Sequence, residues 1–454
     1  MSYQLTSAFA KHPPGPRGLP YVGCLNGLLR NPMTFWSGIA NAYGGIARVP
    51  LKGQAVYLVS DPTLLYELLV TNRGKYRKNI RYRAAVELFG AGLLLNENDA
   101  WKRQRLISQP AFKADHIGRQ VPWMAELTAT FLDRWKNLAR QPQPCDVDAE
   151  FLKLSQLLAG YYLMGPGFAQ IAERFCAAAI AVKNSWPKPP RHALEALLRK
   201  SKGWTPRLEG AIKQIDTCAY EYLAEQRKAG FEDSGLVTML VQASKTQGDE
   251  FDDQSLRDQI LTLFFAGHET SATSLCWIHY LLSKHPEVRA KVRREVAHVL
   301  GSRVPTMEDL DKLVYMEQVV NESLRLYSPI HSISRVAVED DTLGGYDVPA
   351  GSTIYVSLYA THRLAQFWPD PDRFDPERFA PGQAEKRPRF AFIPFAAGHR
   401  NCVGASAAMV EIKLAMALLA QRYELDLASN QKVEAAAGTT MYPRYGMSMT
   451  VRAV

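Results

Sequence analysis

The chain has no apolar run long enough to cross a bilayer, and its opening residues, MSYQLTSAFAKHPPGPRGLP, hold no seven- to fifteen-residue apolar core of a signal peptide. Those absences exclude a transmembrane anchor and lead to the expectation of a soluble, cytoplasmic protein. Cysteine is scarce: Cys24, Cys145, Cys176, Cys218, Cys276 and Cys402 are scattered without a CxxC pair. That spacing argues against a zinc or iron-sulfur ligand set and for reduced thiols. No Gly/Ser-rich or charged linker interrupts the middle of the chain, so residues 1–454 are expected to form one domain. The net charge of +9 comes without a nucleic-acid-binding motif, which leaves a solvated surface or a docking face for an acidic protein.

What is present is ordinary globular composition, 47% hydrophobic and 22% charged, enough for a core that encloses a sizeable cofactor. A proline-rich leader spans residues 1–20, since Pro13, Pro14, Gly15 and Pro16 cannot be helical. Strand-like runs follow at Ile46–Pro50 and Ala55–Val59, with a helix start at Asp61 and Pro62. From Asp99 to about Leu300 helical periodicity dominates, although the stretch from Gln141 to Ser201 gives no clear helix placement. Residues 252–284 lack proline and stop before Pro286, which predicts a helix of unusual length crossing the domain. Short strands are expected at Ser334–Val338 and Thr353–Val356, then a proline- and aromatic-rich loop from Phe367 to Phe395, then a helix after Gly404. The fold class is mainly α with a minor β part.

The chemistry concentrates in the loop 395–404, where Phe395, Gly398, Arg400, Cys402 and Gly404 form FxxGxRxCxG directly before a helix. A lone cysteine is more often an inert buried side chain. Five fixed residues at the mouth of a helix are different, because helix N–H groups and the dipole there favour a thiolate. Glycines at 398 and 404 are expected to let the backbone approach a flat macrocycle.

Other pieces lie upstream and between. Trp101 and Arg105 form WxxxR; Ala266, Gly267, His268, Glu269 and Thr270 sit inside the long helix; Glu322 and Arg325 form ExxR on one helical face; Arg378 follows in Glu377-Arg378-Phe379. Taken singly, each reads as surface charge or core packing.

In this order the motifs resemble those of the cytochrome P450 family across nearly the whole chain. The resemblance implies the P450 fold, with heme b between the long central helix and the helix after the cysteine loop, and Cys402 as the iron ligand. It implies that Arg400, Trp101, Arg105 and Arg335 serve the heme propionates, and that Glu322, Arg325 and Arg378 fix the cysteine loop. Ala266 and Gly267 would leave room for dioxygen, with Glu269 and Thr270 moving protons. The implied reaction inserts one oxygen atom of O2 into a substrate by hydroxylation or epoxidation. Only residues 403–454 follow the cysteine, so electrons from NAD(P)H are expected through a separate ferredoxin or flavodoxin and its reductase. A peroxide-driven peroxygenase and a non-catalytic heme sensor are the alternatives, and the presence of both Glu269 and Thr270 speaks against them.

Candidate substrate contacts are Phe89, Leu93, Leu94, Phe264, Phe265, Ala266, Ile330, Ile333 and Met441, an apolar set that implies a lipophilic substrate. Fatty acids are favoured by the likeness of the region before WxxxR to fatty-acid hydroxylases, with terpenoids or polyketides next. The basic run Arg73, Lys75, Arg77, Lys78, Arg81, Arg83 is either a solvated face or an anchor for a substrate carboxylate or a carrier arm.

Overall fold

The computed structural model describes residues 11–79, 83–141, 143–187, 204–232, 235–246 and 251–454. Residues 1–10 of the leader, Arg81, Pro189, Pro190 and Gly248 lie outside the described residues, as does the side chain of Arg83.

The centre of the molecule is the helix Asp253–Lys284, 32 residues long and therefore about 48 Å at 1.5 Å per residue. Asp252 caps it by accepting from the Ser255 N–H, and the absence of proline lets it run until Pro286 opens the next helix. The helices Val147–Met164, Pro206–Lys228, Val314–Leu326 and Ala405–Arg422 all pack on it. Its C-terminal half is core: Trp277 is fully buried, stacks on Tyr327 at 4.1 Å and donates its indole N–H to the Met441 carbonyl at 2.8 Å.

The stretch that defied placement from sequence contains two helices, Val147–Met164 and Ala172–Ser185. Asp146 caps the first and Gly165, at φ +65°, ends it, while Val147, Phe151, Leu154 and Leu158 form its buried stripe. Residues 188–203 are outside the description.

The minor β part is a five-stranded sheet in the order Ile46–Leu51, Gln54–Val59, Thr353–Ser357, Ser332–Ala337, Tyr76–Lys78. The two runs read near the N-terminus form an antiparallel pair, and Gln54–Val59 continues into the parallel partner Thr353–Ser357. At the far edge Lys78 lies opposite Arg335, which places two cations side by side. A hairpin of Ala435–Ala437 with Met441–Pro443 brings Thr440 and Met441 against the long helix.

Candidate active site

The loop bearing Cys402 is held by its own main chain and by its neighbours. The Ile393 N–H donates to His362 Nε2 at 3.0 Å, the Ala396 N–H to the Ile393 carbonyl at 3.0 Å, and the Cys402 N–H to the Phe395 carbonyl at 2.9 Å. His362 is fully buried, and burial beside Arg325 and Arg363 pushes its pKa down to about 3, so Nε2 stays free to accept.

The two loop glycines have different causes. Gly398 has φ +73°, and a Cβ there would stand 2.2 Å from the Leu69 carbonyl oxygen; the requirement is protein backbone, which corrects the expectation of macrocycle clearance. At Gly404 a Cβ would meet only Phe112, at an ordinary 3.5 Å, so no protein contact demands glycine.

Cys402 is solvent-accessible, yet the protein packed around it raises its pKa above the ordinary thiol value. A residue on the wall of a crevice has both properties. The Gly404 N–H and Arg105 pull the other way, but burial outweighs them, so the helix terminus alone does not make the thiolate. A metal cation bound to the sulfur would supply what is missing.

Beside the cysteine stands a group of cations. Arg105 donates to the Asn401 carbonyl (2.9 Å) and to its Oδ1 (3.0 Å), one residue from Cys402. Arg400 donates to Glu97 at 2.6 Å and lies over the Trp101 ring at 4.0 Å, while its Nη1 has no partner among the described residues. Arg335 bonds the Ser334 carbonyl at 2.9 Å, and burial next to Arg400 lowers its pKa to about 10. Lys78 donates to the Leu94 carbonyl at 2.8 Å, and burial with Arg400 and Arg335 nearby pushes it down to about 7. Among the described residues Lys78, Arg335 and Arg400 thus share the carboxylate Glu97, and Arg105 adds to the repulsion felt by Lys78 and Arg400. The donor set fits a group with two further carboxylates, such as the heme propionates. Sequence reading found Arg105, Arg335 and Arg400 but missed Glu97 and assigned Lys78 to a surface run; the register Lys78 to Arg335 becomes visible only with the sheet.

The ExxR network forms as expected. Glu322 and Arg325 are fully buried and joined twice, at 2.7 and 2.8 Å. Arg325 also donates to the carbonyls of His362, Pro371 and Arg373, and the Asp375 N–H donates to Glu322 at 2.9 Å. Arg378 brings its Nε within 3.5 Å of Glu322, where that nitrogen makes no hydrogen bond among the described residues, and donates through Nη2 to the carbonyls of Pro369 and Asp370. Burial raises the Glu322 pKa while Arg325 opposes it.

On the long helix the segment 265–270 breaks the burial pattern. Ala266 is exposed and Phe265, Gly267, Glu269 and Thr270 are half-buried, although the helix is enclosed by others. Such openness in mid-core marks a crevice wall. Thr270 donates to the Ala266 carbonyl at 2.8 Å and lies 3.1 Å from that of Gly267. Glu269 accepts from Thr440 at 3.2 Å and faces Lys183 at 3.8 Å, two partners unseen in the sequence because they arrive from a distant hairpin and helix. A Cβ on Gly267 would touch only Ala159, at an ordinary 3.8 Å, so, as at Gly404, no protein contact demands glycine there. Ser271 donates to the buried Glu411 at 3.0 Å and so ties the long helix to the one after the cysteine loop; burial raises Glu411 to about 7.

The expected pocket residues divide. Phe89 packs edge-on against Phe265 at 6.0 Å and near Trp186 at 6.5 Å, and Leu94, Ile330 and Ile333 are half-buried. Phe264 and Met441 have no exposed surface: Phe264 meets Phe175 at 4.8 Å, and Met441 is pinned through its main chain to Trp277 and Pro329. Both are core residues, not pocket lining. Trp186, just past a helix end, is an aromatic that the sequence did not single out.

An accessible cysteine before a helix, a cation cluster short of carboxylates, and an acid–alcohol pair on an opened stretch of a central helix fit the chemistry of a heme-thiolate site. The chain matches the cytochrome P450 family model over residues 13–448, and it belongs to the cytochrome P450 family. It is 31% identical to cyclooctat-9-en-7-ol 5-monooxygenase of Streptomyces melanosporofaciens over 90% of this chain and 88% of that one. Cyclooctatin synthase of the same organism is 30% identical, over 97% and 94%. Cytochrome P450 4A24 of Sus scrofa is 30% identical, over 88% and 82%. As a member of this family the protein is a heme-dependent monooxygenase that uses O2 and electrons drawn from NAD(P)H through partner proteins. Among the described residues no helix is long and apolar enough to cross a membrane.

Proposed function

We propose that the protein inserts one oxygen atom from O2 into a neutral, lipophilic, cyclic substrate, with Cys402 as the heme ligand. The bound heme supplies the oxygen chemistry. Arg105, Arg335, Arg400 and Lys78 would hold its propionates, and the accessible face at Ala266 and Phe265 would border the oxygen and substrate. Thr270 would hand a proton inward, and Glu269, resting on Lys183 and Thr440, would bring it from outside.

The observation that carries the substrate reading is the aromatic lining, with Lys75 and Lys78 of the basic run held elsewhere. Lys75 is bonded to Asp341 at 2.8 Å and Lys78 turns to the cation cluster, while the site offers the aromatic group Phe89, Phe265 and Trp186. That favours an uncharged ring system over the carboxylate of a fatty acid, in keeping with the cyclic alcohol in the name of the Streptomyces relative. Electrons would arrive from a ferredoxin or flavodoxin docking on the helix Asn98–Ser108, where Lys102 is exposed and held only by a weak surface pair with Asp99 at 3.0 Å.

Turnover under 18O2 tests the reading. The wild type is expected to place one labelled atom in each product molecule; Thr270→Ala and Glu269→Gln are expected to lower product formation by about 10² while reductant consumption continues and peroxide accumulates. Full coupling in Thr270→Ala, or label absent from product, contradicts it.

A further inference from the structure

The segment joining the helices Arg83–Phe89 and Asn98–Ser108 starts from Phe89 and carries Leu93 and Leu94, and the main chain here is bonded to one short stretch of the long helix. The Ala91 N–H donates to Asp258 at 2.7 Å, the Leu93 N–H to Gln259 at 3.3 Å, and Thr262 reaches the Phe89 carbonyl at 3.5 Å. Arg257 donates to the Glu87 carbonyl at 3.2 Å. Two glycines permit this approach: a Cβ on Gly90, at φ +48°, would lie 2.1 Å from Asp258 Oδ2, and one on Gly92 would lie 2.0 Å from Thr262 Oγ1. The side chains of the long helix therefore shape the loop in detail, and Phe89, where the loop begins, meets Phe265 beside the accessible Ala266.

The same stretch is bonded outward. Arg257 donates to Asp258 at 2.8 Å and, through two nitrogens at 2.9 and 2.5 Å, to Asp216 on the helix Pro206–Lys228. The Arg257 and Asp258 side chains are 4% and 3% exposed, whereas Asp216 is 27% exposed. The outer helix cannot lift without stripping a buried guanidinium of its second carboxylate. Arg257 then keeps only Asp258 and the Glu87 carbonyl, and Asp258, which also accepts from Gln254 at 2.8 Å, is the carboxylate holding Ala91, so the loss of Asp216 bears on the pairing that sets the loop.

We propose that Asp216, Arg257 and Asp258 form an entry latch: Arg257 and Asp258 are positioning residues for the substrate-facing loop, and release of Asp216 loosens that loop to admit substrate. This rests on the monooxygenase reading only for what the loop borders; the mechanical coupling stands apart from it.

The test uses the full chain with its heme and compares Asp216→Ala with Glu221→Ala, which removes the Arg174–Glu221 pair (2.6 Å) from the same helix without touching the latch. Hydrogen exchange of the 90–96 amides and stopped-flow binding of 4-phenylimidazole are the readouts. Asp216→Ala is expected to speed exchange at Ala91 and Leu93 about tenfold and to raise both association and dissociation rates of the probe about threefold or more, and Glu221→Ala to change neither. Unchanged loop exchange in Asp216→Ala, equal acceleration in Glu221→Ala, or faster exchange with unaltered probe rates each overturn the latch. Loss of the cysteinate-type carbon monoxide spectrum in the wild type defeats the monooxygenase reading instead and leaves the exchange result to judge the coupling.

Discussion

Two charged clusters hold the cysteine loop, and they are built on opposite terms. In the Glu322–Arg325 network every charge has its partner, both side chains are fully buried, and three carbonyls absorb the remaining donors of Arg325. In the cluster beside Cys402, Lys78, Arg335 and Arg400 share Glu97, Arg105 adds a fourth positive charge, and the Arg400 Nη1 has no partner among the described residues. The first is completed by protein and serves folding. The second is left short of negative charge, and its deficit matches what a heme brings. A cluster that costs stability when alone and is satisfied on binding couples cofactor loading to the native state.

The largest effect expected from this contrast is at Glu322. Glu322→Ala leaves Arg325 buried without its carboxylate and should cost about 3–5 kcal/mol, read by thermal or denaturant unfolding. A loss below about 1 kcal/mol removes the distinction between the clusters. Next come the glycines. Gly398→Ala should destabilise even the heme-free chain by about 1–3 kcal/mol, because φ +73° and the Leu69 carbonyl both oppose a side chain. Gly404→Ala should leave heme-free stability within about 0.5 kcal/mol and instead weaken heme retention. Equal effects on the apo chain contradict the assignment of one glycine to the protein and the other to the cofactor.

Lys78 sharpens the comparison through pH. Its folded pKa of about 7 lies below the ordinary 10.5, so between these values the unfolded chain binds a proton that the folded one does not. Stability of the heme-free chain should therefore rise from about pH 7 toward pH 10.5 and fall as the pH drops back through 7. Lys78→Met should flatten that slope and stabilise the heme-free chain at neutral pH while weakening heme binding. A slope untouched by the substitution, or heme binding unchanged by it, separates Lys78 from the cofactor.

The same division explains what could be read in advance. The long helix announced itself through 32 residues without proline and the Asp252 cap, and FxxGxRxCxG, ExxR and WxxxR are local spacings that survive in a linear string. Glu97, Lys183, Thr440 and His362 were invisible, and Lys78 was read only as part of the basic run, because their meaning comes from sheet register and from long-range contacts. Phe264 was misplaced because one helical step separates it from Phe265: the first turns to Phe175 in the core, and the second toward the crevice. The helix at Val147–Met164 was missed for a related reason, since it is buried on most of its faces along its whole length and polar residues such as Ser155 and Gln156 are buried among the apolar ones.

The most direct measurement is the absorbance of the purified protein reduced with dithionite under carbon monoxide, taken beside Cys402→Ser. The account predicts a strongly red-shifted Soret band in the wild type and its absence in the variant, with the overall fold of both retained by circular dichroism. An unshifted band in the wild type, or a red shift that survives in Cys402→Ser, contradicts it.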